Sequence, residues 1–234
     1  GSVLAGDPEC SSGRFHNPEF GAGEAACALA LGGGNGGNDV DAVVINRYDD
    51  NVSVLLNNGD RTLAGQVTYS VGQDPWSAVL VDLDDDGDLD LAVSNRADDT
   101  VQVLSNDGNA NFISDGTYEV GFFPNQLAGG DLEGDDDPDL AVVNAADNTV
   151  SILLNNGDGT FAAQVAVATG VDPRSLVIAD LDGDTDLDIT TGNWNTNNVS
   201  VLLNDGQGSF GVPLSFGAGN RPLCIAAGDL DGDG

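Results

Sequence analysis

Lysine and methionine are absent from this chain of 234 residues, histidine occurs once and cysteine three times. Six arginines face 34 aspartates and five glutamates, a net charge of −33. A surface of that sign repels nucleic acid and anionic membrane surfaces. Cys10, Cys27 and Cys224 fall in no metal-ligand spacing and permit at most one internal disulfide, with Cys10 and Cys27 as the local pair. The single histidine, His16, has no serine or cysteine constellation around it that stands out as catalytic equipment. The longest apolar run, 25–31, is seven residues, against roughly 20 for a bilayer-spanning helix. No initiator methionine and no basic-then-apolar leader are visible, so the chain reads as a piece of a longer protein.

Against these shortages stands 40% hydrophobic content, with valine, leucine and isoleucine recurring throughout, which excludes a disordered acidic polymer. The length also excludes a small disulfide-stapled scaffold. The apolar residues are organised by a repeat. Asp-Leu recurs at 82, 131, 180 and 229, a step of 49 residues. The same step joins Pro75, Pro124, Pro173 and Pro222; Asn46, Asn95, Asn144 and Asn193; Gly59, Gly108, Gly157 and Gly206; and Gly72, Gly121, Gly170 and Gly219.

Within each unit the apolar runs are short and bounded by Gly, Asn, Asp and Pro, the pattern of strands. In the third unit it predicts strand A at 125–130, B at 139–144, C at 149–155 and D at 162–169. Each proline falls immediately before strand A, where it costs no ladder hydrogen bond. The C–D connection from Asn155 to Phe161 supplies positive-φ residues for a hairpin, with Phe161 (Phe112 and Phe210 elsewhere) anchored in the core. Tandem four-stranded units of this length are the signature of all-β propeller blades. The expected organisation is a single propeller fragment of about five blades, the last split and incomplete. Strands C and D of a preceding blade occupy 1–24. Four blades follow at 25–72, 73–121, 122–170 and 171–219, and the first strand and acidic loop of a further blade occupy 220–234. The missing strands belong to neighbouring blades of the full-length chain or of another copy.

The A–B connections carry the most specific chemistry. Asp82, Asp84, Asp86 and Asp90 stand at loop positions 1, 3, 5 and 9, with Gly87 at position 6 and Asp88 at position 7. Carboxylates at alternate residues of a tight loop, with the carbonyl of position 7, supply the six to eight oxygens of a calcium ion. Leu83 and Leu89 then point into the core. An EF-hand is excluded because position 12 is Val93, Val142 or Thr191, inside a strand; position 9 is expected to close the site. The Asp180 loop (Asp182, Asp184, Asp186, Asp188) has Thr185 at position 6, a strained choice if φ is positive. The Asp131 loop (Glu133, Asp135, Asp137, Asp139) has Asp136 there and a longer Glu at position 3, and is expected to bind more weakly. The first unit keeps only Asp41 as a carboxylate at a ligand position, and the loop of Asp229, Asp231 and Asp233 lacks its position 9. Carboxylates this close repel one another, so calcium binding is expected to stabilise the fold.

These loops, the 49-residue unit and the Asn-Gly-Asp-Gly-Thr-Phe turn resemble FG-GAP/VCBS repeats, related to the integrin α-subunit propeller. The resemblance covers nearly the whole chain. It implies an extracellular calcium-binding β-propeller, commonly seven-bladed, with calcium loops on one face and ligands often met on the other. That second face is formed by the B–C and D–A loops. Here they carry Arg47, Tyr48, Arg96 and Trp194, and Trp76, Phe122, Phe123, Arg174 and Arg221. Large rigid aromatic rings and planar guanidinium donors are the composition of a recognition surface, and the expected partner is an extracellular glycan or protein. The leading expectation is a non-catalytic adhesion or recognition module. The alternatives are the propeller of a secreted carbohydrate-active lyase or hydrolase, whose acid/base pair is hidden among the carboxylates, and a purely structural repeat of a surface protein.

Overall fold

A computed structural model describes residues 26–32 and 40–229. Among them are sixteen strands and no helix. The strand stubs expected in 1–24, His16, the 33–39 segment, the Cys10–Cys27 pair, Asp231 and Asp233 lie outside the described residues. Cys224 is an exposed free thiol.

The strands form four antiparallel sheets, each in sequence order. Blade 1 is β1 (Ala26–Gly32), β2 (Asp41–Asn46), β3 (Asn51–Leu55) and β4 (Val67–Ser70). Blade 2 is β5 (Pro75–Val81), β6 (Asp90–Asn95), β7 (Thr100–Asn106) and β8 (Phe112–Glu119). Blade 3 is β9 (Pro124–Gly130), β10 (Asp139–Asn144), β11 (Thr149–Leu153) and β12 (Val165–Ala168). Blade 4 is β13 (Pro173–Ala179), β14 (Asp188–Asn193), β15 (Asn198–Leu202) and β16 (Leu214–Gly217). The chain divides into two compact units, one of residues 1–118 and 158–160, the other of 119–157 and 161–234. Blades 1 and 2 belong to the first unit and blades 3 and 4 to the second.

The second strand of each blade explains why its sequence is a continuous apolar and small-residue run. In β6, β10 and β14 every residue is buried, because both faces of the strand are covered. In the first unit Val43, Ile45, Val52 and Val54 pack with Leu91, Val93, Leu104 and Phe112. Tyr69 meets Phe112 edge-on with ring centroids 5.4 Å apart. In the second unit Leu132, Val143, Val150 and Ile152 pack with Leu176, Ile189 and Leu202, and Phe210 lies against that cluster. The outer strands are exposed: all four residues of β16 are open to solvent.

Two sequence expectations are corrected. Pro75, Pro124 and Pro173 are each the first residue of an inner strand and are paired with the buried asparagines Asn95, Asn144 and Asn193, the missing N–H falling at the strand end beside a bulge, whereas Pro222 stands in no strand. In the third blade, strand C stops at Leu153 and strand D begins only at Val165. An isolated bridge between Asn155 and Phe161 holds the hairpin in between.

The repeated Gly72, Gly121 and Gly170 are explained by space. A Cβ on Gly121 would lie 2.7 Å from Asn144 Cγ and 2.8 Å from Asp147 Oδ2, and Gly72 and Gly170 meet Asn95 and Asn193 in the same way. Those asparagines are fully buried and tie strand B to strand C: Asn144 Nδ2 donates to Thr149 Oγ1 (3.0 Å) and Ser151 Oγ (2.8 Å). Gly121→Ala is therefore expected to destabilise by about 1–3 kcal/mol. Gly65→Ala, with nothing within 4 Å of its Cβ, should stay within about 0.5 kcal/mol. Urea denaturation of the two variants checks the difference.

Candidate metal centre and ligand end

The A–B loops are shaped by left-handed residues at positions 4 and 6. These are Asp85 and Gly87 (φ 58° and 89°), Gly134 and Asp136 (78° and 74°), and Gly183 and Thr185 (83° and 82°). Thr185 thus carries the positive φ that strains a β-branched residue. The turns let each position 1 carboxylate gather the loop's own N–H groups: Asp82 Oδ2 accepts from Gly87 (3.0 Å), and Asp180 accepts from Gly183 (2.8 Å) and Thr185 (3.0 Å). Asp131 accepts from Gly134 (2.7 Å), Asp135 (3.3 Å) and Asp136 (3.0 Å). Position 5 accepts from position 7, as Asp86 Oδ1 does from Asp88 (2.9 Å) and Asp184 Oδ1 from Asp186 (3.0 Å).

Carboxylate oxygens converge in two of the loops. One oxygen each of Asp82, Asp84 and Asp86 lie within 4.8 Å of one another, and so do one each of Asp180, Asp182 and Asp188. Among the described residues the Asp131, Glu133, Asp135 set forms no such group. In the Asp82 loop, Asp82 Oδ1 is buried and has no hydrogen-bond partner. A desolvated anionic acceptor beside two further carboxylates fits a hard divalent cation taking oxygen ligands. In the second unit Asn204 Oδ1 is likewise buried and unpartnered, and Asn204 lines a cavity of about 130 Å³ with Asp131 and Asp186.

Positions 7 and 9 do something that the spacing alone did not reveal. The side chains of Asp88, Asp137 and Asp186 at position 7 lie directly against Gly108, Gly157 and Gly206 of the C–D hairpins, where a Cβ would collide with them. The position 9 aspartates are almost fully buried, Asp90 at 1% exposure and Asp139 at 0%. Leu83 N–H donates to Asp90 Oδ2 (2.9 Å) and Asn106 N–H to Oδ1 (2.8 Å). Leu132 and Asn155 do the same to Asp139, and Leu181 and Asn204 to Asp188. In blade 1, Asn57 N–H donates to Asp41 Oδ1 (2.7 Å), although that blade has lost its other ligand positions. Position 9 is therefore a latch joining the A–B loop to the C–D hairpin, and among the described residues only Asp188 of these latches is also part of a carboxylate group. Of the core-directed leucines, Leu83 and Leu132 are buried, whereas Leu181 is 42% exposed and Leu89 half-buried. Asp229 is exposed and stands in no strand.

Burial pushes the carboxyls of Asp90 and Asp139 up to about 6, against the two backbone N–H groups that pull each down. Lost hydration and then the charge of Asp86 raise Asp84. Lost hydration followed by Asp135 raises Glu133, and followed by Asp184 raises Asp182 and Asp186.

The opposite loops bring arginines and tryptophans together. In the first unit the Arg47 and Arg96 guanidinium carbons lie 4.2 and 4.5 Å from the centre of the Trp76 ring. Arg47 Nε donates to Asp74 Oδ1 (2.6 Å), and Tyr48 beside it is 67% exposed. In the second unit Arg174 and Arg221 lie 5.6 and 5.3 Å from the Trp194 ring centre, and Arg174 is paired with Asp172. The Trp rings are thus occupied by guanidinium groups rather than left bare. Phe122 and Phe123 are exposed, Phe123 with φ 56°. The aspartates in these clusters carried no sequence signal beyond their place before Pro75 and Pro173.

Blades of four antiparallel strands carrying acidic A–B loops define a β-propeller repeat by architecture. The FG-GAP-like repeat model matches residues 35–93, 82–142, 131–191 and 187–234. The chain belongs to this repeat family. No curated protein sequence matches it significantly. Among solved structures it is similar to a lectin from Agrocybe aegerita described as recognising non-reducing terminal N-acetylglucosamine (24% identity, TM-score 0.53, covering 79% of this chain and 50% of that one). It is also similar to the periplasmic gluconolactonase of Pseudomonas aeruginosa (19%, TM-score 0.60, 83% and 55%). A third is a catalytically inactive virginiamycin B lyase from Staphylococcus aureus with quinupristin (12%, TM-score 0.56, 85% and 59%). The chain spans about half to three fifths of these proteins, and the likeness is one of fold.

If Asp41 is a latch, Asp41→Asn should cost about 1–3 kcal/mol in the metal-free protein and leave calcium binding by the other blades unchanged, read by chemical denaturation with and without calcium. The pH dependence has a defined sign. Asp90 and Asp139 bind their protons more tightly folded, at about 6, than at the ordinary 3.8. The folded state therefore holds more protons between these values, and metal-free stability falls as pH rises through them. Calcium requires the charged carboxylates, so its stabilising effect should grow over the same interval. Melting in chelator should give a higher midpoint at pH 5 than at pH 7, and the calcium-induced rise should be larger at pH 7.

Proposed function

We propose that the chain is an extracellular, calcium-stabilised recognition module, binding a glycan or protein ligand through the B–C and D–A loops. The neighbouring blades come from the longer protein or from another copy. The observation that carries the reading is the convergent carboxylate group of Asp82, Asp84 and Asp86, with its buried, unpartnered Asp82 Oδ1. Calcium is the group this donor set suits. Asp82, Asp84 and Asp86 would hold it in blade 2, and Asp180, Asp182 and Asp188 in blade 4. Its charge offsets the mutual repulsion of the carboxylates and so favours the folded loops.

At the other end, exposed aromatic rings and guanidinium groups offer the planar contact area and fixed donors of a recognition surface. The likeness to a sugar-binding lectin supports the glycan form of the reading. Tyr48, Trp76, Phe122, Phe123, Arg174, Trp194 and Arg221 are the residues assigned to it.

Thermal unfolding with calcium is the test, with magnesium as control. Extracellular sites bind at about 0.1–1 mM, so 10 mM calcium should add roughly 1.4–2.7 kcal/mol per occupied site. No calcium-specific rise in midpoint would reduce the loops to acidic turns. Replacing Trp76 and Trp194 together by Ala should abolish retention on a glycan array while leaving the calcium-induced rise intact.

A further inference from the structure

We infer that the Trp194 corner of the fourth blade is a binding site for an acidic sugar, taking a uronate-type carboxylate on Arg221. The inference rests on the reading of the B–C and D–A loops as the ligand end and narrows its chemistry.

Two steps of the repeat place Arg174 where Trp76 stands and Trp194 where Arg96 stands. The indole and guanidinium have exchanged places, yet the pair is kept in both blades. One member always sits at the register shift that opens the inner strand, between Pro75 and Ser77 or between Pro173 and Ser175. The other is the first residue after the buried asparagine. A bulge re-aims its side chain out of the strand's alternation, here towards the adjoining turn.

The two clusters differ in charge. Elsewhere the B–C turns staple the adjoining D–A links mostly with acidic side chains: Gln73 N–H donates to Asp98 Oδ2 (2.7 Å), Phe122 N–H to Asp147 Oδ2 (2.7 Å) and Asp74 N–H to Asp50 Oδ1 (3.0 Å), with Asn148 Oδ1, accepting from Asp172 N–H (2.8 Å), as a neutral member. In blade 4 the same bonds run from Val171 N–H to Thr196 Oγ1 (3.2 Å) and from Arg221 N–H to Asn197 Oδ1 (2.8 Å). The staple is retained and its negative charge is gone. From Ile189 to Gly228 the only acidic residue is Asp205, which lies on the C–D hairpin at the other end of the blade.

Arg174 is ion-paired internally. Its Nε and Nη2 reach Asp172 at 2.6 and 2.9 Å, and Asn195 Nδ2 donates to the same carboxylate (3.1 Å). Arg221 has no carboxylate partner among the described residues. It is exposed, and its backbone is held at φ 55° by the Asn197 staple, a costly conformation for a long side chain. The corner thus presents one uncommitted planar cation beside an indole, in a chain of net charge −33. A guanidinium binds a carboxylate through two parallel hydrogen bonds. The surrounding exposed groups are neutral amides, Asn195 and Asn220, which suit hydroxyls rather than the apolar side chains of a peptide.

The test is calorimetric binding to the full chain at constant calcium of three probes: oligogalacturonate, a neutral galactan oligosaccharide of equal length, and an oligoglutamate peptide. The expected result is binding of oligogalacturonate in preference to the other two. Arg221→Gln should weaken it about tenfold, the scale of one charge-assisted hydrogen-bonded contact. Thr196→Asp, which restores the acid found in the other turns without removing the staple, should weaken it as well. Arg61→Gln, on a C–D hairpin, should change nothing, and all three variants should keep the calcium-induced rise in melting temperature. Equal binding of the neutral sugar, or wild-type affinity in both Arg221→Gln and Thr196→Asp, overturns the acidic-sugar site while the broader glycan reading stands. Preference for the peptide, or no binding of any probe by a chain that still responds to calcium, also overturns it. Binding of oligogalacturonate that survives Trp76→Ala with Trp194→Ala overturns the assignment of the ligand end itself.

Discussion

A buried carboxylate accepting two backbone N–H groups joins the two loops at one end of blades 2, 3 and 4. Asp90 collects the N–H of Leu83 from the A–B loop and that of Asn106 from the C–D hairpin, and Asp139 and Asp188 repeat the arrangement. Burying an ionised carboxylate without such donors would be prohibitive, so the hairpin and the acidic loop are held in one relation. Everything proposed for the metal depends on that frame. In the Asp82 loop the oxygens of positions 1, 3 and 5 converge on a segment that this latch holds at its far end. The retention of Asp41 in blade 1 separates the latch from metal binding: the frame is kept where the other ligand positions are gone.

The opposite end of the blade is built on the same economy with different chemistry. Side chains of the B–C turn hold the link that follows the outer strand, and the residue before the proline is forced into the left-handed region in Asp74, Phe123, Asp172 and Arg221. Aspartate tolerates that conformation; phenylalanine and arginine do not adopt it readily. The strain is carried at the end of the blade where the chain is most exposed, by side chains that have no packing role in the core. Strain in the acidic loops is of another kind. Asp136 and Thr185 occupy the glycine place of position 6, which lowers the intrinsic preference of those loops for the ligand-bearing shape and ranks them behind the loop with Gly87.

Charge divides the two ends. The loops bearing Asp82, Asp131 and Asp180 concentrate like charges whose mutual repulsion a divalent ion relieves. Four of the six arginines gather around Trp76 and Trp194, where aspartates before the prolines neutralise two of them. Acidic loops and arginine-bearing turns therefore stand at opposite ends of the same strands, separated by the buried β6, β10 and β14.

Much of this was legible in the residues. The 49-residue register, the four strands per unit, the acidic loop positions and the strain at Thr185 follow from local chemistry, because strand alternation, turn residues and ligand spacing act over a few neighbours. The roles of Gly72, Gly121 and Gly170 were visible as a repeat but not as a reason, since the asparagine that excludes a Cβ is 23 residues away along the chain. The same holds for the position 9 aspartates. Their spacing reads as a metal ligand, and only the approach of the C–D hairpin, brought by antiparallel pairing, gives both oxygens to the backbone. It also holds for the tryptophans, which read as bare stacking platforms until the tertiary structure laid arginines from the neighbouring turns over them. The sequence by itself determined the blades and the chemistry of each loop, because these are short-range properties. Which groups are spent on one another and which remain available for calcium or a ligand was decided only when the tertiary structure brought distant turns together.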